Sequence, residues 1–238
     1  GAIDLIAKPT SLASDRLNEI GDELDGKVIA ATEAYRILAP PPAPPVAAAP
    51  ANVDLVMIGT STGGPQALTH IMAALPATLR APIAMVLHIP VGYTEALAAR
   101  LDKLSQLHVV EAREGLELRA GMAVLARAGK HLRIVRDDTV LRCHLTTHPS
   151  GLFMPSVDEL FKSGAEAVGA RGLGVVLTGM GNDGLVGARA IRAAKGALIT
   201  EAASSCVVYG MPRVVQEAGL GAESIPLDRV AEELVRRA

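Results

Sequence analysis

Hydrophobic positions in this chain alternate, from residue 52 onwards, between short continuous runs and spacings of three or four. The runs predict strands at residues 53–59, 83–88, 122–125, 174–178, 197–200 and 223–225. The spacings between them predict helices beginning near residue 65 and over residues 92–104, 156–169, 184–194, 212–218 and 228–237. Strands that are apolar throughout and separated by helices indicate a sheet buried on both faces. We therefore expect an α/β fold with a doubly wound, mainly parallel sheet and helices on both faces.

Two local patterns refine this outline. Residues 131–135 and 140–145 flank Asp137-Asp138 and predict an antiparallel hairpin that departs from the parallel sheet. Ser156 followed by Glu159 has the spacing of a capping box at the start of the helix over residues 156–169.

The first 51 residues have a different character. Residues 1–9 resemble one strand ending at a proline, and a helical spacing follows as far as residue 38. Residues 39–51 consist almost entirely of proline and alanine, which is typical of an extended, semi-rigid linker. We therefore divide the chain into residues 1–38, a linker over residues 39–51 and a globular domain over residues 52–238.

Composition narrows the classes of function. The 238 residues are 50% hydrophobic and carry a formal net charge of only −2, so the chain is not a basic nucleic-acid binder. Its two cysteines do not make a disulfide framework and fit a reducing compartment. No apolar stretch approaches the roughly 20 residues of a membrane span. We expect a cytoplasmic protein that does not insert into a membrane.

Three predicted strands end in residues that could carry out acyl transfer. Ser61 lies in a glycine-rich turn after the first strand, His88 ends the second, and Asp183 follows the strand over residues 174–178. Parallel strands bring their carboxyl ends to one edge of a sheet, where sites form. A serine attacks, a histidine takes its proton and an aspartate orients the histidine. Each residue alone has an ordinary explanation as a turn, rim or capping residue, but together they favour a catalytic triad.

The order serine, histidine, aspartate separates this chain from the α/β-hydrolases, although residues 59–63 fit G-x-S-x-G. An acyl-transfer site also needs donors for the oxyanion. We expect the backbone N–H groups of Thr62 and Met180 to supply them. No cofactor is expected.

Two other interpretations remain open at this stage. Residues 179–184 fit G-x-G-x-x-G, which would make the chain a phosphate- or nucleotide-binding module, although Asp183 would repel a phosphate at that position. Cys143 and His144 with His148 resemble part of a metal site, but a second cluster of ligands is missing and we expect no metal.

Long motifs between residues 54 and 218 resemble those of the chemotaxis protein-glutamate methylesterases, the catalytic domains of CheB response regulators. The similar segments are Ile-Gly-Thr-Ser-Thr-Gly-Gly-Pro (58–65), His-Ile-Pro (88–90), Ala-Gly-Lys-His (128–131), Pro-Ser-Val-Asp-Glu-Leu-Phe (155–161), Thr-Gly-Met-Gly-Asn-Asp-Gly (178–184) and Val-Tyr-Gly-Met-Pro (208–212). The chain departs mildly from the family at Thr60, at Ile89 and at Phe153-Met154.

The resemblance implies hydrolysis of glutamyl methyl esters on chemoreceptors as part of chemotactic adaptation, with deamidation of receptor glutamines as a second activity of the family. Ser61 falls on the family's nucleophile, His88 on its base and Asp183 on its acid. The implied partners are methylated cytoplasmic helices of chemoreceptors and the protein's own receiver domain. On this basis residues 1–38 are the C-terminal remnant of a receiver domain and residues 52–238 the methylesterase domain.

Overall fold

The computed structural model describes residues 53–148 and 152–238. The predicted receiver remnant and linker therefore lie outside the described residues. The strands are β1 (Leu55–Thr60), β2 (Ile83–Leu87), β3 (His108–Glu111), β4 (Glu117–Leu118), β5 (Met122–Leu125), β6 (His131–Asp137), β7 (Val140–Thr146), β8 (Gly172–Val176), β9 (Ala197–Glu201) and β10 (Glu223–Ile225). The α-helices are α1 (Gly64–Ala74), α2 (Thr94–Leu104), α3 (Val157–Val168), α4 (Leu185–Ala193), α5 (Met211–Glu217) and α6 (Leu227–Arg237).

Seven strands form one parallel sheet in the order β10-β9-β8-β1-β2-β5-β3. The chain builds outwards from β1 in both directions, which confirms the doubly wound arrangement predicted from the alternating pattern. Strand β3 was not predicted. It lies at the edge of the sheet and only one of its four residues is buried, so its sequence lacks the continuous apolar run of a central strand.

A second, three-stranded sheet has the order β4-β7-β6. Strands β6 and β7 pair antiparallel from His131↔Thr146 to Asp137↔Val140, which confirms the predicted hairpin. The turn requires a left-handed backbone at Asp138, whose φ is 53°. Aspartate tolerates this conformation better than most residues.

The buried side chains form two clusters, one on each face of the large sheet. On β1, Val56 and Ile58 belong to the cluster under α1, α2 and α6, whereas Leu55 and Met57 belong to the cluster under α3, α4 and α5. Successive residues of a strand point to opposite faces, so a strand covered on both sides must be apolar throughout. All six residues of β1 are buried. The prediction of helices on both faces is confirmed.

The predicted capping box at Ser156 is wrong. Ser156 precedes the first residue of α3, but its hydroxyl makes no capping bond to its own helix. It donates instead to Asp183, at 2.9 Å, and Glu159 pairs with Arg133 at 2.6 Å. Tertiary partners have replaced the local ones. No helix of residues 53–148 and 152–238 is long and apolar enough to cross a membrane.

Candidate active site

The site lies at the carboxyl ends of three adjacent strands, β8, β1 and β2. The Ser61 N–H donates to the carbonyl of Thr178 at 3.0 Å, and the His88 N–H donates to the carbonyl of Thr60 at 3.2 Å. These bonds continue the parallel pairing beyond the strands, so the loops that follow them are held together. The structure therefore places Ser61 and His88 on neighbouring, bonded segments at the edge predicted from the sequence.

Small residues make room around Ser61. A Cβ on Gly179 would lie 2.8 Å from the Ser61 Cβ and would also collide with the Met211 sulfur, so only glycine fits there. Gly63 has a left-handed φ of 84° and leads into α1. Within the described residues, the only non-glycines with positive φ are Asp138 and Lys195. Ser61 therefore has an ordinary backbone, unlike the serine of a strained nucleophile elbow.

His88 and Asp183 form a buried pair. The His88 Nε2 lies 2.8 Å from Asp183 Oδ2, and the two side chains are 8% and 6% exposed. A carboxylate accepts a hydrogen bond, so Nε2 carries the proton and Nδ1 carries the lone pair. Nδ1 is buried, and no residue of the described part of the chain forms a hydrogen bond with it. In the serine proteases it is Nδ1 that bonds the aspartate, so the ring nitrogen that meets the carboxylate here is the other one.

Four donors converge on the Asp183 carboxylate. Oδ2 accepts from His88 and from the Val157 N–H at 2.7 Å. Oδ1 accepts from the Ser156 hydroxyl at 2.9 Å and from the Asp158 N–H at 3.0 Å. Val157 and Asp158 begin α3, so Asp183 caps a helix to which it does not belong. Burial acts to raise the pKa of Asp183, but these hydrogen bonds outweigh it and hold that pKa below its usual value.

An aromatic ring covers one face of the histidine. The rings of Phe153 and His88 are stacked, with centroids 4.0 Å apart and an angle of 5° between their planes. Phe153 is itself half-buried. The sequence marks Phe153 only as a departure from the family pattern, because the order of residues does not show which ring it will contact. The stack fixes the plane of the imidazole and keeps solvent from that face.

The remaining predicted positions form no hydrogen bond with the His88–Asp183 pair in the residues that the structure describes. Among the described residues, neither the N–H of Thr62 nor that of Met180 has an acceptor, and the Ser61 hydroxyl makes no hydrogen bond. Thr62 is buried beneath the turn, whereas Met180 is 47% exposed. The assignment of Ser61 as nucleophile and of these two N–H groups as oxyanion donors stays a prediction.

The geometry opposes the nucleotide-binding interpretation of residues 179–184. A pyrophosphate would have to occupy the N-terminus of α4. The N–H groups of Gly184 and Gly187 there donate to the carboxylate of Asp158, at 3.0 and 2.7 Å. A carboxylate already occupies the position that the phosphate would need.

The geometry also opposes the metal interpretation. Cys143 and His144 are consecutive on β7, so their side chains lie on opposite faces of the strand. Cys143 is buried in the core, and burial raises the pKa of its thiol to about 12. His144 pairs with Glu114 at 2.9 Å. Within residues 53–148 and 152–238, no group of three or more histidine, cysteine, aspartate or glutamate side chains is arranged to hold a metal ion.

Comparison with known proteins assigns the fold to one family. The family model described as CheB methylesterase matches residues 56–234, which is most of the described chain. The chain belongs to the CheB methylesterase family. The crystal structure of the Thermotoga maritima CheB methylesterase catalytic domain is similar, with a TM-score of 0.75 and 36% identity, covering 77% of this chain and 98% of that one. The parallel sheet with its small antiparallel companion is thus the fold of a CheB catalytic domain.

Curated relatives agree with this membership. A Myxococcus xanthus protein named protein-glutamate methylesterase/protein-glutamine glutaminase 5 is 52% identical over 236 residues, covering 96% of this chain and 68% of the relative. A Moorella thermoacetica protein-glutamate methylesterase/protein-glutamine glutaminase is 48% identical over 186 residues, covering 77% of this chain and 44% of the relative. Both of these CheB-family relatives are therefore longer than the part of them that this chain matches.

Proposed function

We propose that residues 53–238 form a serine hydrolase that removes methyl groups from esterified glutamyl side chains of proteins and also deamidates glutaminyl side chains. The observation that carries the proposal is the His88–Asp183 pair, buried beside Ser61 at the carboxyl edge of the sheet. Membership of the CheB methylesterase family and the names of the relatives support the same chemistry.

In the proposed acylation step, the Ser61 Oγ attacks the carbonyl carbon of the glutamyl ester while His88 Nδ1 takes the hydroxyl proton. Asp183 stabilises the resulting imidazolium through Nε2. The negative charge on the carbonyl oxygen is stabilised by the Thr62 and Met180 N–H groups. The intermediate then collapses, the bond to the methoxy oxygen breaks, and His88 returns the proton to release methanol.

In the deacylation step, water attacks the glutamyl–Ser61 ester with His88 Nδ1 again as base. The Ser61 oxygen leaves with that proton, the second proton of the water passes to solvent, and the products are the free serine and a glutamate carboxylate. A glutamine substrate follows the same path with ammonia as the leaving group. No step needs a cofactor, because the side chains supply the nucleophile, the base and the charge stabilisation.

The proposed protein substrates are the methylated cytoplasmic helices of chemoreceptors, and the proposed role is adaptation in chemotaxis. Exposed apolar side chains on the loops beside the site support a macromolecular substrate: Val91 is 73% exposed, and Tyr93 and Met180 are each 47% exposed. We further propose that residues 1–38 come from a receiver domain that acts on this site, with residues 39–51 as linker.

The decisive experiment measures methanol release from methylated receptor cytoplasmic fragments by the full chain and by Ser61→Ala. We expect the variant to lose at least about a thousandfold in kcat, because removing the nucleophile of a triad costs this much or more. Ser224→Ala, an exposed serine on β10, is the matched control and should keep the parent rate. Release by Ser61→Ala at the parent rate would refute the assignment of the nucleophile. No release by a folded parent would refute the substrate.

A further inference from the structure

Asp158 faces the helix that begins beside Asp183. Its Oδ1 accepts hydrogen bonds from the N–H groups of Gly184 and Gly187, in the first turn of α4. At the same time its own N–H donates to Asp183 Oδ1 at 3.0 Å. Each of the two aspartates therefore caps the helix that begins at the other. This reciprocal cap joins the start of α3 to the start of α4.

The two helices approach too closely at this point for either to shift alone. A Cβ on Gly187 would lie 2.5 Å from the Phe161 Cβ and 3.0 Å from the Asp158 Cα. A Cβ on Gly184 would lie 3.0 Å from a methyl carbon of Val157. Gly184 also directly follows Asp183 and has a φ of 100°, which L side chains rarely adopt. The backbone that carries Asp183 is therefore pressed against the first turn of α3, where Asp158 anchors it.

We propose that Asp158 is a positioning residue for the hydrolytic reaction, which holds the loop of Asp183 so that its Oδ2 meets His88 Nε2. This inference rests on the proposed triad and adds a residue to it. Asp158 touches neither His88 nor Ser61 through a hydrogen bond, so it acts only through Asp183.

The electrostatics of the pair agree with a positional role. Burial raises the pKa of Asp158, the Gly187 N–H lowers it, and the negative charge of Asp183 raises it further. A buried carboxylate beside a half-buried one is unfavourable unless donors compensate the two charges. Here the N-termini of two helices provide those donors, and each helix dipole favours the negative charge placed at its start. The arrangement stabilises one orientation of Asp183 over others.

The contrasting explanation is that Asp158 merely caps α4 and stabilises the fold. Two substitutions separate these roles. Asp158→Ala removes the acceptor for both N–H groups. Asp158→Asn keeps Oδ1 as acceptor, and no described residue donates a hydrogen bond to Oδ2, so the amide nitrogen displaces nothing. Glu159→Ala is the matched control, because Glu159 lies in the same turn of α3 but pairs with Arg133 and Lys162.

The experiment uses the full chain and has two readouts that do not depend on the natural substrate. The first is the downfield proton NMR signal of His88 Nε2–H, assigned by its loss in His88→Ala. The second is the rate at which a fluorophosphonate probe phosphonylates Ser61, with loss of fluoride. Methanol release from receptor fragments then gives kcat and KM, and urea unfolding gives the stability of each variant.

We expect Asp158→Ala to lose or shift the NMR signal and to react with the probe about tenfold to a hundredfold more slowly, because small displacements of catalytic groups have effects of this size. The loss should lie in kcat with KM within about twofold, as expected for an interaction made in the transition state. Asp158→Asn and Glu159→Ala should keep the signal and stay within about threefold of the parent rate.

Two results would overturn the inference. One is an unchanged NMR signal and an unchanged rate of reaction with the probe in Asp158→Ala. The other is a loss in Glu159→Ala as large as that in Asp158→Ala, which would show a general effect of destabilising α3. Failure of the parent to release methanol would refute the proposed substrate. The NMR signal and the rate of reaction with the probe would still decide the role of Asp158.

Discussion

The Asp183 carboxylate accepts hydrogen bonds from an imidazole and from the N-terminus of a helix at the same time. One side chain therefore links the proposed chemistry to the packing of α3. Asp183 can be only 6% exposed and still charged, because both of its carboxylate oxygens accept hydrogen bonds that stabilise the negative charge. Ser61 has no comparable role, because its hydroxyl makes no hydrogen bond with any described residue.

This difference predicts opposite stability effects for two inactivating variants. Asp183→Ala should lower kcat by about 10⁴-fold and the free energy of unfolding by about 2–3 kcal/mol, because a cap and hydrogen bonds to a charge are lost. Ser61→Ala should lower activity without changing stability by more than about 0.5 kcal/mol. Urea unfolding beside methanol release tests this. An Asp183→Ala protein as stable as the parent would contradict the capping role.

The sequence indicated Ser61, His88 and Asp183 because each follows an apolar run that ends in small or polar residues. Parallel topology then places all such ends at one edge. Phe153 and Asp158 could not be found in this way. Phe153 precedes α3 and stacks on His88, 65 positions earlier in the chain. Asp158 lies in the first turn of α3 and bonds Asp183, 25 positions later. Only the packing of separate elements brings these contacts about.

At the scale of elements, α3 and α4 behave as one unit because their first turns cap each other. The contact is also steric: α4 presents Gly187 to Phe161 and to the backbone of Asp158. Sequence patterns correctly gave both helices within one or two residues. They assigned the cap of α3 to Ser156 and Glu159, because local spacing says nothing about a donor or acceptor from another helix.

Gly187→Ala tests the closeness of these helices. Alanine favours a helix by about 1 kcal/mol over glycine, yet its Cβ would lie 2.5 Å from the Phe161 Cβ, so we expect a net destabilisation of about 1–3 kcal/mol. Hydrolysis should fall as well, since α4 must move away from Asp158. Arg189→Ala, on the exposed side of the same helix, should change neither quantity. A more stable Gly187→Ala with full activity would show that the helices can separate freely.

At the scale of the whole molecule, stability depends on keeping one buried histidine neutral. His131 is 1% exposed, and its Nδ1 accepts the Ser156 N–H at 3.2 Å. Burial lowers the pKa of His131, although the charges of Glu159 and Asp183 oppose part of this effect. In the unfolded chain the same imidazole takes up a proton near its ordinary pKa of about 6.5. Below that pH the unfolded state therefore binds more protons than the folded state.

It follows that the contribution of His131 to stability is fully present above about pH 6.5 and is lost as the pH falls towards its lowered pKa. We expect the parent to lose about 1–2 kcal/mol more than His131→Asn between pH 7 and pH 5. Asparagine keeps an acceptor for Ser156 without the titration. Urea unfolding at several pH values measures this, with His70→Asn, an exposed histidine of α1, as control. Parallel pH profiles for parent and His131→Asn would contradict the assignment.

The order of residues was enough to predict the class of fold, the type of most elements and the edge of the sheet at which the candidate triad lies. It could do so because apolar periodicity and strand–turn–helix order are local properties, and parallel topology converts them into a shared edge. The edge strand β3 could not be predicted in this way, because a strand with one buried residue lacks a continuous run of apolar residues.

Contacts between distant segments set which ring nitrogen of His88 meets Asp183 and which helix Asp183 caps. They also stack Phe153 on His88 and bring Asp158 to the start of α4. These contacts join residues from different elements, and their geometry depends on how closely β8, β1, α3 and α4 pack. Hydrogen-bond direction, burial and the resulting shifts in pKa are set at that level. For this reason the residue types of the site were readable in the chain, whereas its arrangement was not.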